Sequence, residues 1–172
     1  MEKKKRAGIN CLVPFLFAVY MVLLVWIILF KLQLSIHEFD KIRNINLIPF
    51  HYENEIGMNF HLKEVLENIG IFIPFGIYLC MLKNEPNFKR KFILILSTSL
   101  ILEIFQYILA VGGTDITDLI TNTCGGMTGT GLYWSAAKIF QGKKRADTVI
   151  TVVAAIVTVV VVGGVLVLLI SN

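Results

Sequence analysis

Five apolar blocks, each long enough to cross a bilayer, dominate this chain and leave few folds open to it. A span takes about 20 predominantly apolar residues. The blocks cover roughly 11–32, 64–82, 92–111, 115–136 and 149–170. Apolar residues make up 56% of the 172 and charged residues 16%, where a soluble domain averages about 25% charged. This composition excludes a disordered chain and argues against a soluble globular domain. Each block is predicted to be a helix, the valine-rich fifth included, because a lone strand would leave its backbone groups unpaired in lipid. The expected fold class is all-α: a polytopic helical membrane protein with a four-helix core plus a fifth C-terminal transmembrane helix.

The breaks between blocks carry ordinary stop signals: Pro86 among the lysines of 83–91, the pair Gly112-Gly113, and Gly142 before Lys143. The organisation that follows is a basic tail at 1–10, a four-span domain at 11–136 with a large loop at 33–63, a basic linker at 137–148 and the fifth helix at 149–172. The first block follows Lys3, Lys4, Lys5 and Arg6, as a secretory signal would. It is too long for such a signal and lacks a small-x-small cleavage site, so a retained anchor is expected. Cys11, Cys80 and Cys124 form no CxxC pair and are expected as buried small apolar residues rather than as disulfides or metal ligands.

Basic residues orient the spans. Twelve of the sixteen lie in the N-terminal tail, in the loop around Lys89, Arg90 and Lys91, and in the segment with Lys138, Lys143, Lys144 and Arg145. All three fall on one side of the bilayer. The positive-inside rule therefore predicts a cytoplasmic N-terminus and an extracytoplasmic C-terminus. The net charge of +4 is accounted for in this way and gives no reason to expect a nucleic-acid partner.

Depth can then be read along the helices at about 1.5 Å per residue. Glu103 lies about 18 Å from the cytoplasmic end of its span. Gln106 is one turn further out, and Asn122, Asp118, Asp115 and Asn68 also fall in the outer half. If spans three and four form a tight antiparallel hairpin around the Gly-Gly turn, residues at equal depth have numbers adding to about 225. That register pairs Glu103 with Asn122 and Gln106 with Asp118. Glu103 and Gln106 share one helix face, as do Asp115, Asp118 and Asn122. A carboxylate near mid-bilayer costs about 2.5–3.5 kcal/mol on insertion scales, so Glu103 is expected to face protein or water, with a partner or protonated. The shallower Asp115 and Asp118 have a plain alternative as helix caps. Gly125 and Gly129 make a small-xxx-small face suited to close helix packing. The same face is the candidate surface for a homo-oligomer. Pro74 and Gly76 are expected to kink the second span or allow close approach.

The outer loop holds His37, His51 and His61 at spacings that match no standard metal-ligand pattern. No metal and no cofactor are expected. Leu47, Ile48 and Phe50 are apolar residues in an exposed loop, so they are expected in the head-group region or folded back as a cover. Arg43 suits either a lipid phosphate or one of the aspartates.

The segment Arg43-Asn44-Ile45-Asn46-Leu47-Ile48-Pro49-Phe50, then Asn68 through Gly76, Glu103-x-x-Gln106 and Asp115-x-x-Asp118-x-x-x-Asn122-x-x-Gly125 resemble the VanZ-like family in order and spacing over roughly 12–136. The resemblance implies a bacterial membrane protein with about four core spans, from a family associated with resistance to the glycopeptide teicoplanin. It places Arg43, Asn46, Pro49, Asn68, Pro74, Glu103, Gln106, Asp115, Asp118 and Asn122 at signature positions. Many family members carry an arginine where this chain has Gly112, which puts an anion site built on that arginine in doubt here. The fifth span lies outside the resemblance.

Three functions compete. In the first, a pocket of Arg43, Asn46, Asn68, Glu103, Gln106, Asp118 and Asn122 binds an amphiphilic or lipid-linked ligand, such as an envelope precursor or an amphiphilic antibiotic. In the second, Glu103, Asp115 and Asp118 act as catalytic acid–base groups on an envelope lipid, though no nucleophile is evident. The third is a small transporter, which the scarcity of ionisable groups in the cytoplasmic halves of spans two to four disfavours. Membrane lipids are partners in every case.

Overall fold

The computed structural model describes residues 2–30, 45–50, 55–82, 84–110 and 114–171; within these, 2–10, 30, 55–61, 168, 169 and 171 are described by backbone alone. Among the described residues the chain forms α1 (Glu2–Phe30), β1 (Ile45–Asn46), α2 (Glu55–Met81), α3 (Phe88–Leu109), β2 (Thr114–Asp115), α4 (Ile116–Ile139) and α5 (Lys143–Ser171). The fold is all-α and polytopic. Among the described residues, four helices are long and apolar enough to cross a membrane, over Cys11–Leu29, Leu62–Met81, Phe88–Leu109 and Lys143–Val167.

The fourth block differs from the expectation of five comparable spans. α4 is long enough, with 24 residues, but is too polar to be among those four. Its place in the fold explains this. It turns Thr117, Thr121, Asn122, Thr123, Gly125, Gly126, Gly129 and Thr130 inward and packs most extensively against α2. Its threonines bond back to their own helix: Thr123 Oγ1 donates to the Leu119 carbonyl at 2.7 Å and Thr130 Oγ1 to that of Gly126 at 3.2 Å. Hydroxyls satisfied within the helix can sit at membrane depth without water.

The α2–α4 contact is made by backbones. A Cβ on Gly76 would lie 1.8 Å from the Gly126 carbonyl oxygen, and one on Gly129 would lie 1.9 Å from that of Ile73. Gly125 meets Ile69 in the same way, at 2.3 Å. The small-residue face is therefore covered by α2 of the same chain. Pro74 removes the N–H that would reach the Gly70 carbonyl, and beside it the Ile71 carbonyl accepts from Tyr20 of α1 at 2.8 Å.

Around this pair, Leu24, Ile28 and Leu29 of α1 pack with Phe72, Phe75 and Leu79 of α2 and Ile95 and Leu102 of α3. α5 lies at the periphery. Only 6% of its spanning segment is buried, and it meets α1 and α2 through Ala154 and Ala155 against Val13, Leu16 and Tyr78. The basic segment 137–148 is helical except at 140–142, where Gln141 and Gly142 take φ of 56° and 147° to reverse the chain. Of the cysteines, Cys80 is buried as expected. Cys11 and Cys124 are exposed instead, because each falls on a helix face that no other helix among the described residues covers.

Candidate functional site

The polar residues singled out in the outer half converge where β1, α2, α3 and the start of α4 meet. β1 and β2 are parallel, with Ile45 opposite Thr114 and Asn46 opposite Asp115. This short pairing brings the outer loop down onto the N-terminus of α4. Asp115 caps that helix: its Oδ1 accepts the Thr117 N–H at 2.7 Å, while its Oδ2 accepts from Asn46 Nδ2 at 3.1 Å. Asp118, one turn on, accepts from Asn68 Nδ2 of α2 at 2.7 Å. Glu103, only 2% exposed, accepts the Asp115 N–H at 3.2 Å through Oε2. Its backbone carbonyl accepts from Thr114 Oγ1 at 3.2 Å. The carboxylate that hydropathy marked as costly is thus buried in protein, with a backbone donor.

The hairpin register is not the one expected. Asn122 Nδ2 donates to Ser99 Oγ at 3.0 Å, not to Glu103. Gln106 Nε2 reaches across to α1 and donates to the Ile28 carbonyl at 2.9 Å, not to Asp118. Glu103 lies level with Asp115, so α4 begins about 9 Å below the end of α3, six residues at the helical rise. The cause is the strand pairing. Ala110 turns the chain in a left-handed conformation at φ 54°, and Thr114–Asp115 then runs extended beside β1 instead of turning at once into helix. Gln106 Oε1 and Asn122 Oδ1 are buried without a hydrogen-bond partner among the described residues.

Above the site, residues 47–50 form a tied apolar tip. The Ile48 N–H donates to Asn46 Oδ1 and the Phe50 N–H to Thr117 Oγ1, each at 3.1 Å. Phe50 is held at φ 54°, a region that costs a bulky residue energy and persists only when its surroundings impose it. Leu47, Ile48 and Phe50 nevertheless stay exposed, Leu47 to 72%.

Of the proposed ligand-binding residues, Asn46, Asn68, Glu103 and Asp118 meet here together with Asp115. Gln106 and Asn122 face neighbouring parts of the interior through α1 and Ser99 respectively. Arg43 lies outside the described residues, as do Gly112, His37 and His51; the side chain of His61 is likewise not described. Among the described residues no group of three or more His, Cys, Asp or Glu is placed to hold a metal ion. Sequence reasoning missed Ser99, Thr114 and Thr117. Ser99 was within reach, since it extends the Glu103–Gln106 face of α3 inward by one turn. Thr114 and Thr117 gave no such signal, because their roles come from the strand pairing.

The register can be checked directly. With Cys11, Cys80 and Cys124 replaced, cysteine pairs at 68/118 and 99/122 are expected to join through a short bifunctional reagent in membranes. The pair 106/118 is expected to stay open. Cross-linking at 106/118 with failure at 99/122 would restore the tighter hairpin.

Comparison with known proteins covers this whole region. A family model described as VanZ/LLP1 matches residues 17–141. Protein VanZ of Enterococcus faecium is 44% identical over 141 residues, covering 80% of this chain and 83% of that protein. No solved structure matches.

Proposed function

The chain belongs to the VanZ/LLP1 family, and on that premise we propose that it is a bacterial cell-envelope membrane protein that binds an amphiphilic or lipid-linked ligand in its outer polar site. The observation that carries the reading is the placing of Glu103, Asp115 and Asp118 beneath an apolar tip. Such a site matches a ligand with two ends. Carboxylates and amides engage a hydrogen-bond-donating or cationic head group, while Leu47, Ile48 and Phe50 stay against the ligand's apolar part or the surrounding lipid. The buried acceptors of Gln106, one turn further out than Glu103, and of Asn122, deeper beside Ser99, offer places for further donors. The orientation belongs to the same proposal: the N-terminus is cytoplasmic, the site faces outward, and α5 ends outside. Teicoplanin, an amphiphilic glycopeptide associated with the family, is the natural first probe.

The test uses Asp118→Asn and Glu103→Gln, which keep shape and remove charge. In a host that depends on this chain for glycopeptide tolerance, each variant is expected to reach the membrane at the wild-type level. Each should also lose about tenfold or more in tolerance, the scale of one lost charge-assisted hydrogen bond in a dry site. Wild-type tolerance in both variants would refute the site.

A further inference from the structure

At the opposite end of the bundle the helix ends close around a second polar centre. Lys91, in the first turn of α3, is only 3% exposed. Its ammonium donates to Glu85 Oε1 and, at 3.1 Å, to Cys80 Sγ. The other oxygen of Glu85 accepts from Lys143, the first residue of α5, at 2.6 Å. The Trp134 ring lies under both cations, 4.3 Å from Lys143 Nζ and 5.8 Å from Lys91 Nζ. Glu85, Lys91, Trp134 and Lys143, together with Asn87 and Phe88, line a cavity of about 480 Å³.

The chemistry of this cavity is that of an anion site. Two ammonium groups face one carboxylate, so the lining carries an excess positive charge. The N-terminus of α3 opens on the same space through Asn87 and Phe88, adding the positive end of a 22-residue helix. Lys89, Arg90, Lys138, Lys144 and Arg145 are exposed nearby in sequence and belong to the same helix ends. The position also says where the anion comes from. Phe88 and Lys143 line the cavity, and each is the first residue of a segment able to span the membrane. The cavity therefore sits where hydrocarbon gives way to head groups. Phe88 is 66% exposed and Trp134 43% exposed at its edge, apolar and amphipathic surfaces of the kind that settle at that boundary. Basic pockets between membrane helices are known to hold anionic head groups.

We propose that this cavity binds the phosphate head group of an anionic membrane phospholipid, with Lys91 and Lys143 as the charged groups and Trp134 as the platform beneath them. The inference is independent of the outer site. Lys143 lies beyond the family match, which ends at residue 141, so the site joins the family core to this chain's fifth helix.

The test is native mass spectrometry of the full chain released from bilayers of equal parts phosphatidylglycerol and phosphatidylcholine. The wild type is expected to retain phosphatidylglycerol in preference. Lys143→Gln should lower that preference about fivefold, what one lysine contributes at an anionic surface. Lys143→Arg should keep it, and Trp134→Leu, which leaves every charge in place, should weaken it. Lys63→Gln, near the opposite end of the bundle, should behave as wild type. Equal retention of the two lipids by the wild type would overturn the proposal. So would an unchanged preference in both Lys143→Gln and Trp134→Leu. Displacement of the lipid by inorganic phosphate alone would overturn the lipid assignment in favour of a free anion.

Discussion

Gly129→Val is expected to abolish accumulation of folded protein in the membrane. The Cβ alone would stand 1.9 Å from the Ile73 carbonyl oxygen and 2.8 Å from its carbon. Both are backbone atoms, so no side-chain rotation relieves the clash, and α2 and α4 must part. Overpacking in ordinary cores costs about 1–3 kcal/mol; a clash with backbone is expected to exceed about 3 kcal/mol, enough to unfold many domains. Gly76→Ala should act alike, since its Cβ would meet the Gly126 oxygen at 1.8 Å. Gly131→Ala is the control. Nothing lies within 4 Å of that position, and alanine is the better helix former by about 1 kcal/mol. The measurement is membrane abundance with thermal unfolding in detergent. Equal losses at Gly129 and Gly131 would show that the helix contact is not the cause. The effect reaches function because Asn68 and Asp118 pair across the same two helices.

Lys91→Met is expected to lower stability by about 3 kcal/mol, because it leaves Glu85 half-buried with Lys143 as its one remaining cation among the described residues. Glu85→Gln added to Lys91→Met should recover part of that loss. The double-mutant cycle is expected to give a coupling near 2 kcal/mol. Titration provides a second reading. Burial tends to raise the Glu85 carboxyl, but hydrogen bonds from Lys143 and Lys91 outweigh it and hold the group below its ordinary 4.5. A carboxylate lowered on folding contributes its full stability above the ordinary value and loses it as pH falls through the folded value. Wild-type unfolding temperature should therefore fall on acidification below about pH 4.5, and Lys91→Met should flatten that fall. An acid limb of the same size in both proteins would remove Lys91 from the account.

Some of this was visible along the chain. The apolar blocks announced the helices, because each span meets lipid on its own and must satisfy its backbone internally. Glu103 announced itself because an isolated carboxylate at that depth is costly wherever the helix goes. Asp115 was readable as a cap, and it is one. Lys91 was not readable. Next to Lys89 and Arg90 it looks like part of a solvated basic loop. Only the packing of α2, α3 and α4 on one another buries it against Cys80 and Glu85.

The partner choices divide in the same way. Asn46 meets Asp115 across 69 residues and Asn68 meets Asp118 across 50; no periodicity in the chain encodes either separation. The four-residue strand pair moved the α3–α4 register inward and took Glu103 and Asn122 away from each other. By itself the sequence determined how many helices form and which ionisable groups lie at depth, because those are contests between one segment and its solvent. The tertiary structure alone decided which of those groups touch, because that depends on backbone approach at Gly76, Gly125 and Gly129 and on a loop that pairs with a distant strand.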